Sequence, residues 1–275
     1  EVYSPGRQEG ARMSKVFIVA EAGSAWRISD RELDNFQQAL NLIEVAASAN
    51  ADAVKFQVFG AGGLYAVGAG RAGYLRDKRS INDIADELAL PLEWLPDLAA
   101  ACRKAEIEFM ATPFSLEAVD AVDPFVARHK IASYELGWKE LVQHAASKGK
   151  PLILSTGAAT REEVERAVGA LTCEQASDTT LLHCVAAYPA PLEQCNLAAL
   201  QTLELVIHTA CGATGQFKVG ISDHSADPLI VPIAAAALGA SIIEKHYTTS
   251  RKLPGPDHRF ALEPLELAGM VGSIR

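Results

Sequence analysis

Polar and ionisable residues collect at the ends of short apolar runs in this 275-residue chain. Glu21 closes one run, Lys55 and Gln57 a second, and Thr112 a third. Lys130, Ser133 and Glu135 follow in the fourth, and Ser155 and Thr156 in the fifth. His183 and Tyr188 belong to the sixth, Ser222 and His224 to the seventh, Glu244 and His246 to the eighth. Lys55/Gln57, Ser133/Glu135, Ser222/His224 and Glu244/His246 are i, i+2 pairs, so on a strand both members of each pair share a face. A polar pair aimed into an apolar interior is costly to bury without partners, whereas at a wet mouth it can bind a ligand.

The residue types narrow the chemistry. His224 and His246, without thiolates beside them, suit an exchangeable divalent ion such as Mn²⁺, with water or substrate oxygens completing the set. Two histidines alone are a weak metal signal, strengthened by Glu135, which is placed to hold a metal-bound water. Lys55 and Lys130, with the hydroxyls of Ser133, Ser155 and Ser222, form an anion pocket suited to phosphate and carboxylate. His144 and His208 fall on helix-like stretches and are expected to face solvent, and His129 is expected to point away from the site.

The elements that must position these groups are legible from periodicity. Near-continuous apolar runs at 15–22, 53–59, 107–112, 128–133, 151–156, 179–186, 217–223 and 241–247 read as parallel strands covered on both faces. Helix-like stretches lie between and after them, at 31–49, 92–105, 115–123, 137–148, 160–171, 194–206, 227–239 and 263–274. Ser29 and Asp30 are expected to start the first helix, and Thr160 with Glu163 has capping-box spacing. Eight strand-then-helix repeats predict an α/β fold, a single-domain (β/α)8 TIM barrel, whose active site sits at the C-terminal strand ends. A doubly wound open sheet competes, but the first strand lacks a GxGxxG turn. The connection 60–91 is unusually long, and its Gly-rich first half suggests a mobile lid.

Composition sets the outer bounds. Hydrophobic residues make up 49% and charged residues 21%, enough for a sizeable core. With 25 Lys+Arg against 34 Asp+Glu, the net charge of −9 disfavours a nucleic-acid surface but not a small anionic substrate. No apolar run approaches the roughly 20 residues that cross a bilayer. Five scattered cysteines argue against a disulfide framework and for a reducing, cytoplasmic setting. Residues 1–13 are expected to be a disordered leader or an expression remnant ahead of the barrel at 14–275.

ADAVKFQ (51–57), ATPFS (111–115), KIASYE (130–135), PLILSTG (151–157), LLHCVAAYPAP (181–191), GISDH (220–224) and ASIIEKHYTTSRKLPGPDH (240–258) carry a resemblance. In this order they resemble the barrel domain of the sialic acid synthase family, the phosphoenolpyruvate-dependent N-acylneuraminate synthases, over residues 16–275. That family condenses phosphoenolpyruvate with the open-chain aldehyde of an N-acylated sugar, N-acetylmannosamine-like, to give a nonulosonic 2-keto acid and phosphate.

The resemblance implies that His224 and His246 hold Mn²⁺ or Mg²⁺, and that Lys55, Thr112, Lys130, Ser133, Ser155 and Ser222 hold phosphoenolpyruvate. It further implies that Gln57, Tyr188 and Asp257 contact the sugar, that Glu135 handles water and proton transfer with Glu21 as the alternative, and that the chain works as a homodimer. Three departures stand out. Ala25 and Trp26 in EAGSAWRI (21–28) replace the family's Asn-His pair and are expected to reshape the sugar side of the mouth. Ala186 replaces an Asn or Ser that would bond phosphoenolpyruvate, and Ala158 stands where Met often follows STG. The family's small antifreeze-like C-terminal domain is expected to be missing. An aldolase-type lyase and a catalytically silent sugar- or phosphate-binding barrel are the competing functions. Retention of Lys55, Lys130, Glu135, His224 and His246 together argues against the silent one.

Overall fold

Eight parallel strands close around an interior that is apolar below and charged above. The computed structural model describes residues 15–60, 64–66, 68–71, 79–211 and 218–275. The strands are β1 (Phe17–Gly23), β2 (Ala53–Val58), β3 (Glu108–Pro113), β4 (His129–Ile131), β5 (Leu152–Ser155), β6 (Thr179–Cys184), β7 (Lys218–Asp223) and β8 (Ile242–His246). Their hydrogen-bonded order, β3-β2-β1-β8-β7-β6-β5-β4, is the cyclic order of a (β/α)8 barrel. β3 and β4 lie side by side and complete the circle.

Between the strands run α1 (Glu32–Ser48), α2 (Ile81–Glu87), α3 (Leu95–Lys104), α4 (Leu116–Val122), α5 (Lys139–Ala146) and α6 (Arg161–Gly169). They continue with α7 (Cys173–Ser177), α8 (Ala199–Cys211), α9 (Ile230–Ala237) and α10 (Pro264–Ile274). The expected capping box forms at α6, where the Thr160 hydroxyl accepts from Glu163 N–H and the Glu163 carboxylate from Thr160 N–H. Helix α1 starts differently from expectation. Its N-cap is Arg31, which makes no side-chain cap. Asn35, from within the helix, instead accepts from the backbone N–H groups of Ile28 and Ser29. The short α7 and the turn of α2 inside the 60–91 connection have no counterpart in the sequence reading, because neither is long enough to show a period. Ser80 caps α2 by accepting from Asp83 N–H. Most of the Gly-rich lid, and the leader over 1–13, lie outside the described residues.

Side-chain alternation along the strands decides what reaches the lumen. Ile18, Val54, Phe56, Phe109, Leu154 and Ile243 face outward and pack under the helices. Val19, Ala53, Met110, Ile153, Leu182 and Ile242 face inward and form a separate apolar plug. Two residues further along each of those strands, the inward positions become Glu21, Lys55, Thr112, Ser155, Cys184 and Glu244. Burying apolar area costs nothing here, so the plug fills the lower barrel and the polar set is confined to the upper end. No helix among the described residues is long and apolar enough to cross a membrane.

Candidate active site

Directly above the plug sits a buried layer of alternating charge. Lys55 Nζ lies 2.6 Å from Glu21 Oε2 and 3.6 Å from Glu244 Oε2, and donates to Thr112 Oγ1 at 2.8 Å. Lys130 Nζ donates to Ser155 Oγ at 2.7 Å and lies 3.8 Å from Glu244 Oε1. Ser222 Oγ donates to the same Glu244 oxygen at 2.8 Å, and Gln57 Nε2 reaches Glu21 Oε1 at 3.2 Å. The sequence predicts an anion pocket of these two lysines with the Ser133, Ser155 and Ser222 hydroxyls and assigns it no counter-charge. The structure instead compensates them with Glu21 and Glu244, because two uncompensated buried ammonium groups would be prohibitively costly.

Electrostatics separate the two carboxylates. Burial pushes Glu21 up to about 7, against the pull of Lys55. Burial acts on Glu244 in the same sense but is overcome by Lys130, Lys55 and the Ser222 hydroxyl, which hold it well below the usual carboxylate range. Burial also lowers Lys130, while for Lys55 the two carboxylates outweigh burial and raise it. Glu244 is thus the fixed negative charge of the layer. Glu21 is the group able to take or give a proton near neutrality.

The histidines stand on the next level. His224 Nδ1–H donates to Val185 O at 2.7 Å, which leaves its Nε2 lone pair available, 3.4 Å from Ser222 Oγ. Tyr188 stacks on the His224 ring with centroids 4.1 Å apart, and the two imidazole centroids are 5.7 Å apart. Burial, helped by the neighbouring His246, pushes His224 down to about 4, and burial lowers His246 as well. Both rings are therefore neutral at pH 7, the form that ligates a metal. The Nδ1 of His246 is buried without a protein partner. This donor set fits a divalent ion held by two imidazoles with oxygens from elsewhere. Among the described residues no group of three or more His, Cys, Asp or Glu forms a full ligand cage.

Asp257, in the loop after β8, reaches this level too. Its Oδ2 accepts from Ser24 N–H at 2.8 Å and from Ser24 Oγ at 2.7 Å. Gly23 holds φ +51°, and a Cβ there would sit 2.6 Å from that oxygen and 3.2 Å from His246 Cε1. Only glycine lets β1 pass so close.

Ser133 and Glu135 are placed otherwise than the spacing argument held. They lie on a 3₁₀ turn (Ser133–Glu135) after β4, so the two-residue strand repeat does not apply to them. Ser133 Oγ accepts from Gly157 N–H at 3.1 Å and touches Cys184 Sγ at 3.1 Å. Glu135 Oε2 is buried with no protein partner, and burial raises its pKa. A Cβ on Gly157 would meet Cys184 Sγ at 2.4 Å and Ser133 Oγ at 2.9 Å. We expect Gly157→Ala to cost about 1–3 kcal/mol in urea unfolding, as overpacked sites do, and to displace the Ser133 hydroxyl.

The sequence places His183 among the mouth residues. It points out of the barrel instead, where its Nε2–H donates to Cys195 O at 2.8 Å, and Cys184 takes the lumen position. Parity with Leu182 would have shown this from the sequence. His129 faces outward against Asp123 as expected, His144 is half-buried against Asp120, and His208 is exposed as expected.

A family model described as the NeuB family matches residues 42–275. The chain belongs to the NeuB family. Among NeuB-family relatives, the spore coat polysaccharide biosynthesis protein SpsE of Bacillus subtilis is 38% identical over 94% of this chain and 67% of its own length. The N,N'-diacetyllegionaminic acid synthase of Campylobacter jejuni is 36% identical, over 96% of this chain and 76% of its own. The solved N-acetylneuraminic acid synthetase of Leptospira borgpetersenii, in complex with citrate, has a TM-score of 0.79 at 33% identity, covering 95% of this chain and 83% of that one.

Within this NeuB-family barrel the Ala25–Trp26 departure does not shape the mouth as expected. Trp26 is buried in the helix layer, edge-on to Trp94 at 5.4 Å, and Phe36 packs edge-on with Trp94 at 5.1 Å. The mouth at this loop is formed by Ser24 and Asp257, and the sequence reading missed Ser24. Ala158, the third departure, adopts φ +58°, an uncommon conformation for a residue with a Cβ, in the turn that brings Gly157 against Ser133.

Proposed function

We propose that this protein condenses phosphoenolpyruvate with the open-chain aldehyde of an N-acylated sugar, giving a nonulosonic 2-keto acid and phosphate. One observation carries the reading: two lysines in a hydroxyl-lined, buried charge layer lie directly beneath two neutral, partly unpartnered imidazoles. An anion and a carbonyl can be held there face to face. Lys130, Lys55, Ser155, Thr112, Ser222 and Ser133 would hold the phosphate and carboxylate, while Gln57, Tyr188 and Asp257 orient the sugar. His224 and His246 would hold the divalent cation, Mn²⁺ or Mg²⁺, which when bound supplies Lewis-acid polarisation of a carbonyl oxygen.

Carbon 3 of phosphoenolpyruvate then bonds to the aldehyde carbon, and water adds at carbon 2. Glu135 takes a proton from that water and passes it to the former aldehyde oxygen, which becomes a hydroxyl. The carbon 2–oxygen bond to phosphate then breaks, the carbon 2 hydroxyl gives its proton to the departing phosphate, and the ketone forms. Free thiols at Cys102, Cys184 and Cys195 go with a cytoplasmic setting, and a homodimer is the assembly we propose.

Phosphate release from phosphoenolpyruvate, measured with Mn²⁺ against a panel of N-acyl and unmodified sugars, tests the reading. Release is expected only with an acceptor present and is abolished by EDTA. Activity unchanged in EDTA removes the metal from the scheme, and no release with any acceptor overturns the reaction. Lys130→Ala is expected to raise the phosphoenolpyruvate KM about 10- to 150-fold, the equivalent of a charge-assisted contact of about 1.5–3 kcal/mol. A shift confined to the sugar KM would show that the two substrates are placed the wrong way round.

A further inference from the structure

We infer that Lys245 is a positioning residue: it fastens the loop that carries His224 to the strand that carries His246, and so sets the spacing of the two imidazoles. The inference rests on the reading of those histidines as metal ligands. His246 is the last residue of β8, held in the ladder opposite Glu21 of β1. His224 stands one residue past the end of β7, where the ladder no longer fixes it. Its carbonyl accepts from Ala190 N–H at 2.9 Å and its ring donates to Val185 O at 2.7 Å. Both partners belong to the loop after β6, so neither ties His224 to β8.

Lys245 supplies that tie. It lies between Glu244 and His246 in β8, and strand alternation turns it the opposite way, out of the lumen, where it is buried. It is the register partner of Asp223. Its Nζ donates to Asp223 Oδ2 and to Ser225 O, each at 2.5 Å, and to Asp227 O at 3.0 Å, and lies 3.1 Å from Ser225 Oγ. Asp223 closes the turn from the other side, accepting from Ser225 N–H at 2.8 Å and from Ser225 Oγ at 3.0 Å. Asp227 in turn accepts from the N–H groups of Leu229 and Ile230 at the start of α9. The residues on both sides of His224 are thus bound to one ammonium group that is itself next to His246 in the chain. A methionine there would pack without that charge, but would leave a buried carboxylate and two carbonyls short of a donor. Lys245 faces away from the Lys55–Lys130 layer, so its donors serve the loop alone.

Mn²⁺ binding without substrates, measured by calorimetry on folded protein, tests this. Lys245→Met is expected to weaken Mn²⁺ about 10- to 100-fold, the range found when groups behind a metal ligand are removed. Electron spin-echo spectra at saturating Mn²⁺ should show nitrogen couplings from two imidazoles in the wild type and from one in Lys245→Met, with His224→Ala as the one-nitrogen reference. A role confined to stability would lower the Tm and leave both couplings in place. Ser225→Ala removes only the hydroxyl shared by Lys245 and Asp223 and keeps the charges paired, so it serves should Lys245→Met fail to fold. It is expected to weaken Mn²⁺ about 2- to 10-fold, the equivalent of one hydrogen bond. Unchanged affinity in Lys245→Met, or in Ser225→Ala where that variant stands in, overturns the positioning role. Weaker binding by Lys245→Met with both couplings retained overturns it too. A wild-type protein that binds no Mn²⁺ instead overturns the metal-ligand reading, and the inference falls with it.

Discussion

Replacing Glu135 with Gln is expected to lower kcat by about 10²- to 10⁴-fold, the usual contribution of a positioned general acid–base group. The phosphoenolpyruvate KM should move by only a few-fold. The variant is nearly isosteric, and Glu135 lies outside the Lys55–Glu21–Glu244–Lys130 layer, so anion binding is left intact. One Glu135 oxygen is buried and unpartnered, and burial raises its pKa, so it is poised to accept a proton from water above the layer. The acidic limb of the wild-type rate profile should therefore lie above the ordinary carboxylate value of 4.5 and vanish in Glu135→Gln. Glu21 is the rival, with its pKa near 7. Glu21→Gln disturbs the 2.6 Å pair with Lys55, so it should also raise the phosphoenolpyruvate KM. A larger kcat loss in Glu21→Gln at saturating phosphoenolpyruvate would transfer the proton-transfer role to Glu21.

Lys55→Met is expected to destabilise the fold by about 3–5 kcal/mol at pH 8, the cost of leaving a buried charge without its partner. The direction of its pH dependence follows from Glu21. A carboxyl held at about 7 in the folded state, against 4.5 in the unfolded chain, keeps a proton that the unfolded chain has released. Its contribution to stability is complete below 4.5 and is lost as pH rises through 7. Without Lys55 the carboxyl is raised further, so the loss continues above pH 7. The gap between wild type and variant should widen there by up to about 1.4 kcal/mol per pH unit. Lys55→Met/Glu21→Met removes both members of the pair and should recover most of the loss together with the extra pH slope. Urea unfolding at pH 6, 7 and 8 reads all three proteins. A gap that stays constant across this range would show that Glu21 does not titrate as the structure indicates.

Both experiments test groups whose identities the chain showed but whose partners it hid. Lys55, Lys130, His224 and His246 were identifiable because each lies within or directly after an apolar run and because the surrounding motifs resemble a known family. Glu244 was visible beside His246 but had no assignable role, since its partners come from β2, β4 and β7, far away in the sequence. Ser133 and Glu135 were found for an incomplete reason: their chemistry was apparent, but the chain leaves the strand after Ile131, and strand spacing does not describe a 3₁₀ turn. His183 was misplaced because a histidine attracts functional interpretation, while strict alternation from Leu182 gives the lumen to Cys184.

The amino-acid sequence by itself determined the eight strands, their order in a closed barrel and the end at which chemistry gathers. Those features depend on local periodicity, which a chain carries in its own residues. Only the tertiary structure decided that the lysines arrive already compensated and that Trp26 anchors a helix layer instead of lining the mouth. Charge compensation and aromatic packing arise between segments tens to hundreds of residues apart. Their energies depend on distance and burial, which no single stretch of chain encodes.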